Sequence, residues 1–176
     1  MKKYLYLKKL LTKTELRMAH QYAIIRHKSN INGFDEAQTL LGETIFYGDP
    51  LMESLLEKLI PRVEKELGKP VWPTYSFLRV YNKFSKLIKH TDRPACEISI
   101  SCTLGADKEW PLYVGGKKII INPGDGLLYY GAKIKHWREE YDGDYQTQVF
   151  FHYVEKEGKF ADEKFDRRQY LGLTKQ

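Results

Sequence analysis

Apolar positions recur every three or four residues in the first third of the chain and every second residue after it, so helices are expected first and strands later. A helix over 13–28 is announced by Thr12 and Glu15, which have the spacing of a capping box, and carries Leu16, Ala19, Tyr22 and Ala23 on one stripe. The polar stretch 29–34 breaks it. A second helical segment opens at Asp49–Pro50, an N-cap followed by proline at the first helical position. Leu51, Leu55, Leu59, Val63 and Leu67 mark its apolar face, Gly68 ends it, and Pro61 must kink or split it.

From Trp72 onward the period changes to two. Residues 75–82 place Tyr75, Phe77, Arg79 and Tyr81 on one face and Ser76, Leu78 and Val80 on the other. Residues 97–104 set Ile98, Ile100, Cys102 and Leu104 against Ser99, Ser101 and Thr103. Further strands are expected over 117–122, 127–130 and 145–154, with a turn at Asn122-Pro123-Gly124-Asp125-Gly126. Helices followed by many short strands predict one α+β domain over 1–176 whose sheets close into a sandwich or barrel. After Glu155 the tail alternates charge with Phe160, Phe165 and Tyr170, the pattern of a docked helix or a frayed end.

Composition narrows this picture without changing it. At 176 residues, with 42% apolar and 30% charged residues, the chain can bury roughly 70% of its unfolded surface without a metal or disulfide staple. No apolar run approaches the ~18 residues of a membrane span. Lys8 and Lys9 interrupt any signal-peptide core near the start. Cys96 and Cys102 would sit roughly 20 Å apart on an extended strand, too far for a disulfide. A reducing, cytoplasmic setting is the expectation. The net charge of +6 is a mild bias toward acidic partners.

Five histidines carry the chemical signal. His20 and His27 fall on the first helix without acidic companions at metal spacing, which suits structural roles. His90 is followed at i+2 by Asp92, so an extended chain aims both side chains at one side. His136 lies 46 residues beyond His90, at the end of a strand-like segment beginning at Gly126. Two imidazoles and one carboxylate leave three coordination positions open, the facial triad of non-haem Fe(II) oxygenases.

The order and spacing of these residues resemble those of small Fe(II)- and 2-oxoglutarate-dependent dioxygenases of the prolyl-hydroxylase-like branch. The matching residues are Leu11-Thr12-Lys13-Thr14-Glu15 at the first helix, Arg79-Val80-Tyr81 ahead of His90-Thr91-Asp92, the Pro123-Gly124-Asp125 turn, His136, and Gln148-Val149-Phe150-Phe151-His152-Tyr153. The resemblance spans about residues 4–155. It implies a double-stranded β-helix (jelly-roll) core with the N-terminal helices packed on one sheet, and Fe(II) on His90, Asp92 and His136. It also implies 2-oxoglutarate as co-substrate and hydroxylation of an unactivated C–H bond. The substrate would be a protein side chain such as prolyl, or a small molecule.

One position departs from the family pattern. The resemblance places a basic residue about ten positions after the distal histidine, where it pairs with the far carboxylate of 2-oxoglutarate; here that position is Gln146. Glutamine can hydrogen-bond a carboxylate but not neutralise it. Arg79, sharing a face with Tyr81, is the preferred substitute cation, because a guanidinium matches a carboxylate bidentately. Arg138 is the second candidate, against the alternative of a solvated loop arginine. Thr103 would donate to the co-substrate if its face lines the barrel. Trp110 and Trp137 are placed at the pocket rim, and His152 is read as pocket lining rather than a fourth ligand.

Two rival functions stay open on sequence alone. One is a nucleic-acid demethylase with the same iron chemistry, opposed by lysines that are scattered rather than gathered in a stripe. The other is a non-catalytic β-helix domain that binds metal or a carboxylate, motivated by Gln146.

Overall fold

A computed structural model of the protein describes residues 4–29 and 43–173. Strand β1 (Tyr4–Leu7) precedes helix α1 (Lys13–Ser29), which opens on the expected capping box: the Thr12 amide donates to Glu15 Oε2 at 2.9 Å and the Glu15 amide to Thr12 Oγ1 at 3.3 Å. The rest of the polar break at 30–34 lies outside the described residues. Strand β2 (Thr44–Tyr47) leads to α2 (Pro50–Lys58), capped by Asp49 Oδ1 accepting from the amides of Leu51 and Met52. Pro61 cannot continue the α2 ladder, and the segment splits into a separate helix α3 (Ile60–Leu67) closed by Gly68 at φ 67°.

The strands that follow are β3 (Val71–Asn82), β4 (Leu87–His90), β5 (Ile98–Ala106), β6 (Leu112–Val114), β7 (Lys117–Ile119), β8 (Gly126–Tyr129), β9 (His136–Arg138) and β10 (Tyr145–Glu155). They form two antiparallel sheets. One has six strands in the order β1-β8-β5-β10-β3-β2, the other four in the order β4-β9-β6-β7. Four expectations need correction. Residues 4–7 and 44–47 are strands within the region read as helical; each is four residues long and edges the large sheet, too short for a period to show. The strand expected over 117–122 stops at Ile119. His136 does not end the strand beginning at Gly126. The chain turns after Tyr129, and His136 opens β9 in the other sheet.

The large sheet explains why alternation was so clear in its central strands. Its apolar face looks away from the barrel: Leu78, Ile98, Ile100, Cys102, Val149, Phe151 and Tyr153 pack with Ala19, Ala23, Met52, Leu56 and Val63 of the three helices. The opposite face carries Arg79, Tyr81, Ser99, Ser101, Thr103, Gln146, Gln148 and His152, all buried in the barrel interior. Burial of the apolar face at about 25 cal/mol per Å² drives folding, while the polar face is enclosed by the small sheet. The tail is docked, not frayed. Its 3-10 turns (Ala161–Arg167) lie against β3, and Arg168 forms a buried ion pair with Glu53 at 2.6 Å. Cys96 and Cys102 are buried free thiols. His20 and His27 bond to Thr147 Oγ1 (2.8 Å) and Thr44 Oγ1 (2.7 Å), structural roles as expected.

Candidate active site

Strand β4 ends at His90, and its neighbour β9 begins at His136; the two residues are register partners across the small sheet. Their rings lie 4.4 Å apart between centroids. The Asp92 amide donates to the carbonyl of Gly131 at 2.9 Å, which turns the chain so that Asp92 Oδ1 lies 3.3 Å from both His90 Nε2 and His136 Nε2. The three ligand atoms are all within 4.8 Å of one another.

The hydrogen bonds behind the imidazoles settle which nitrogens face inward. His90 Nδ1 lies 2.6 Å from the carbonyl of Ile88, and His136 Nδ1 lies 2.9 Å from that of Ile134. A carbonyl only accepts, so each Nδ1 carries the proton and each Nε2 presents a lone pair. Two such nitrogens and a carboxylate oxygen aimed at one point fit a divalent transition metal with open coordination positions. Burial alone would raise the Asp92 carboxyl, but the facing imidazoles of His136 and His90 outweigh it and hold the group well below the usual range. Asp92 in turn raises His90.

A pocket of about 290 Å³ opens beside this group. One wall is aromatic: Tyr47, Tyr75, Phe77, Phe150 and His152. Tyr75 lies 4.6 Å from the His152 ring, and His152 stacks on Phe150 at 6.3 Å with only 4° between planes. His152 lines the pocket. Burial lowers its pKa to about 4, so the imidazole is neutral at pH 7. Arg93 caps the wall, its guanidinium 4.5 Å above Tyr75 and held by Asp166 at 2.5 and 2.8 Å.

Among the residues singled out from sequence, Arg79 and Tyr81 line the pocket, with the guanidinium 4.4 Å over the Tyr81 ring. Arg79 is also engaged in an ion pair with Glu43 at 2.6 Å, both side chains almost fully buried. Arg138 is no solvated loop arginine. It is 2% exposed, on β9, because the register that points His136 inward points Arg138 inward too. It donates to the Trp110 carbonyl and to Gln148 Oε1 (3.3 Å), and packs 4.7 Å from the Trp110 ring. Its Nε has no partner, and no carboxylate pairs with it among the described residues. Burial lowers its pKa to about 10, with Tyr81, Tyr129 and Tyr141 nearby opposing the shift, so it remains charged at neutral pH.

Thr103, Gln146 and Arg138 do not line this pocket. Thr103 donates to Gln148 Oε1 (3.2 Å), and Gln146 Nε2 donates to the same oxygen (2.8 Å), while Gln148 Nε2 donates to Ser101 (2.9 Å). This neutral amide and hydroxyl network meets Arg138 at Gln148 Oε1. Neither tryptophan rims the pocket. Trp110 is buried with Tyr81 and Tyr141, and Trp137 stacks on Tyr113 at 5.0 Å outside the small sheet. Residues that sequence reasoning missed are Glu43, Tyr47, Gly131 and Asp166. Each reaches the site through a tertiary contact that no local spacing announces.

No protein-family model matches this chain, and no curated protein matches it in sequence. Solved structures do match in fold. A prolyl-4-hydroxylase from Pseudomonas putida superposes with a TM-score of 0.67 at 14% identity, covering 87% of this chain and 92% of that one. A viral collagen prolyl hydroxylase from Paramecium bursaria Chlorella virus-1, solved with 2-oxoglutarate, gives 0.65 at 12%, covering 86% and 95%. HygX from Streptomyces hygroscopicus, solved with nickel and 2-oxoglutarate, gives 0.66 at 12%, covering 88% and 84%. The two closed antiparallel sheets are thus the double-stranded β-helix expected from sequence.

Proposed function

We propose that this chain is an oxygenase that uses Fe(II), 2-oxoglutarate and O₂ to hydroxylate an unactivated C–H bond. The observation that carries the reading is the convergence of His90 Nε2, His136 Nε2 and Asp92 Oδ1, with both Nδ1 atoms tied to backbone carbonyls. Structures of similar fold hold 2-oxoglutarate, in one case beside nickel. Bound to His90, Asp92 and His136, iron would supply O₂ activation coupled to oxidation of the co-substrate. The protein supplies orientation and an aromatic-walled chamber.

The far carboxylate of 2-oxoglutarate is assigned to Arg138 rather than Arg79. A buried guanidinium without a carboxylate is costly unless an anion completes it, and Arg138 is in that condition, whereas Arg79 is balanced by Glu43. Tyr81 supports the assignment: it lines the pocket, and its buried hydroxyl makes no hydrogen bond. The wall of Tyr47, Tyr75, Phe77 and Phe150 suits an apolar, methylene-bearing group, either a protein side chain such as prolyl or part of a small molecule. The deciding experiment is Fe(II)-dependent conversion of 2-oxoglutarate to succinate by the purified protein. Conversion that disappears in His136→Ala supports the reading. Absence of both conversion and metal binding in the wild type refutes it.

A further inference from the structure

The second oxygen of Asp92 is held as deliberately as the first. Ser99, opposite His152 in the β5–β10 register, is fully buried, and its Oγ lies 3.0 Å from Asp92 Oδ2, 3.2 Å from the Cys96 carbonyl and 2.9 Å from His152 Nδ1. A carboxylate and a carbonyl only accept, and a serine hydroxyl has one proton. That proton goes to Asp92 Oδ2, the nearer and charged acceptor, so His152 Nδ1 donates to Ser99. The pairing of β10 with β3 shifts register between Phe151 and Tyr153, a bulge of the kind that re-aims a side chain.

Gly131 contributes independently. A Cβ there would collide with Asp92 Oδ2 and lie 2.5 Å from Ser99 Oγ and 2.7 Å from the Cys96 carbonyl. Only a residue without a side chain leaves Oδ2 the space it occupies, and the same residue's carbonyl fixes the Asp92 amide.

We propose that Ser99 and His152 are positioning residues that hold Asp92 Oδ2 turned toward the protein, so that the carboxylate serves a metal through Oδ1 alone and three coordination positions stay open. This rests on the oxygenase reading. Partners behind metal ligands typically change affinity by about 10- to 100-fold when removed. A merely structural role would alter stability while leaving the coordination unchanged.

The test uses Co(II) as probe, read by titration and by visible absorption of the loaded protein, with circular dichroism confirming that each variant folds. Ser99→Ala should weaken Co(II) binding about 10- to 100-fold and change the absorption spectrum, as a freed Oδ2 alters coordination. His152→Leu should shift the spectrum in the same direction, and it provides the reading if Ser99→Ala does not fold. His152→Asn, whose amide can donate from the position of Nδ1, should restore the wild-type spectrum. Ser99→Ala and His152→Leu that bind within twofold of wild type with an unchanged spectrum overturn the inference alone. So does His152→Asn behaving like His152→Leu. A wild-type protein that takes up no Co(II) overturns the oxygenase reading and this inference together.

Discussion

Arg79 donates to Glu43 at 2.6 Å with both side chains buried, so its charge is balanced inside the protein whether or not a ligand is present. Ser85 donates to the other Glu43 oxygen, completing a closed polar unit at the pocket wall. Arg138, on β9 of the small sheet, has neutral neighbours in Gln148, Trp110 and the tyrosines.

This contrast separates two substitutions that look alike in sequence. Arg138→Ala should weaken 2-oxoglutarate binding to the Mn(II)-loaded protein about 30- to 150-fold, the equivalent of ~2–3 kcal/mol for a charge-assisted pair. Arg138→Lys should recover part of it, since a point charge lacks the planar fork. Arg79→Ala should instead leave Glu43 buried without its cation and destabilise the fold by ~3–5 kcal/mol, changing 2-oxoglutarate affinity less than about threefold. Calorimetric titration with 2-oxoglutarate and urea denaturation read the two effects. The reverse pattern would return the carboxylate to Arg79.

Strand faces are legible in the sequence, but the partners that meet them are not. Alternation correctly put Arg79 with Tyr81, and Ser99 with Thr103, on single strand faces, because a half-buried strand imposes a period of two. It also separated His90–Asp92 from the other histidines, since i+2 spacing is a local property. Partners distant in sequence were invisible: Glu43 meets Arg79 across 36 residues, and Asp166 meets Arg93 across 73. Arg138 was misread for a related reason. Strand β9 is three residues long, too short to show a period, and only its pairing with β4 and β6 reveals that Arg138 faces inward.

Removing one imidazole should remove the metal site. His136→Ala leaves one nitrogen and one carboxylate oxygen, a set too small to hold an open-site ion firmly. Stoichiometric Mn(II) or Co(II) binding should disappear, while the apo fold stays intact by circular dichroism. Undiminished one-to-one binding in this variant would falsify the assignment of the triad.

Metal-free protein should lose stability on mild acidification through His152. In the folded state burial lowers its pKa to about 4, while the ordinary value is 6.5. Between these values the unfolded chain binds the proton and the folded chain does not, so stability falls as pH drops. The contribution is fully present above about pH 6.5 and is lost by about pH 4, on the order of 3 kcal/mol for a fully buried group. Urea midpoints measured across that window should show the decline in the wild type and a shallower one in His152→Leu. Identical slopes would mean that other groups set the acid sensitivity.

The docked tail is tied to the pocket by one carboxylate. Asp166 accepts from Arg93 at 2.5 and 2.8 Å and from the Tyr47 hydroxyl at 2.5 Å, and both partners line the pocket. Three successive non-glycine residues, Phe165, Asp166 and Arg167, sit at φ 54°, 54° and 62°, a conformation costing of order 1–3 kcal/mol each unless the surroundings impose it. The imposing contacts lie just beyond. Arg168 donates to Glu53 (2.6 Å) and to the carbonyls of Thr74 (3.0 Å) and Leu173 (2.7 Å), and Gly172 donates its amide to Glu53. Arg168→Ala leaves Glu53 buried and unpaired, so it should cost ~3–5 kcal/mol in urea denaturation. It should also release the strained turn, increasing amide hydrogen exchange over 161–173 and in Tyr47 together. Adding Glu53→Leu should recover much of the stability by removing the unpaired charge, without restoring slow exchange in the tail. If Arg168→Ala loosens the tail but leaves exchange at Tyr47 unchanged, the pocket wall does not depend on Asp166 for its order.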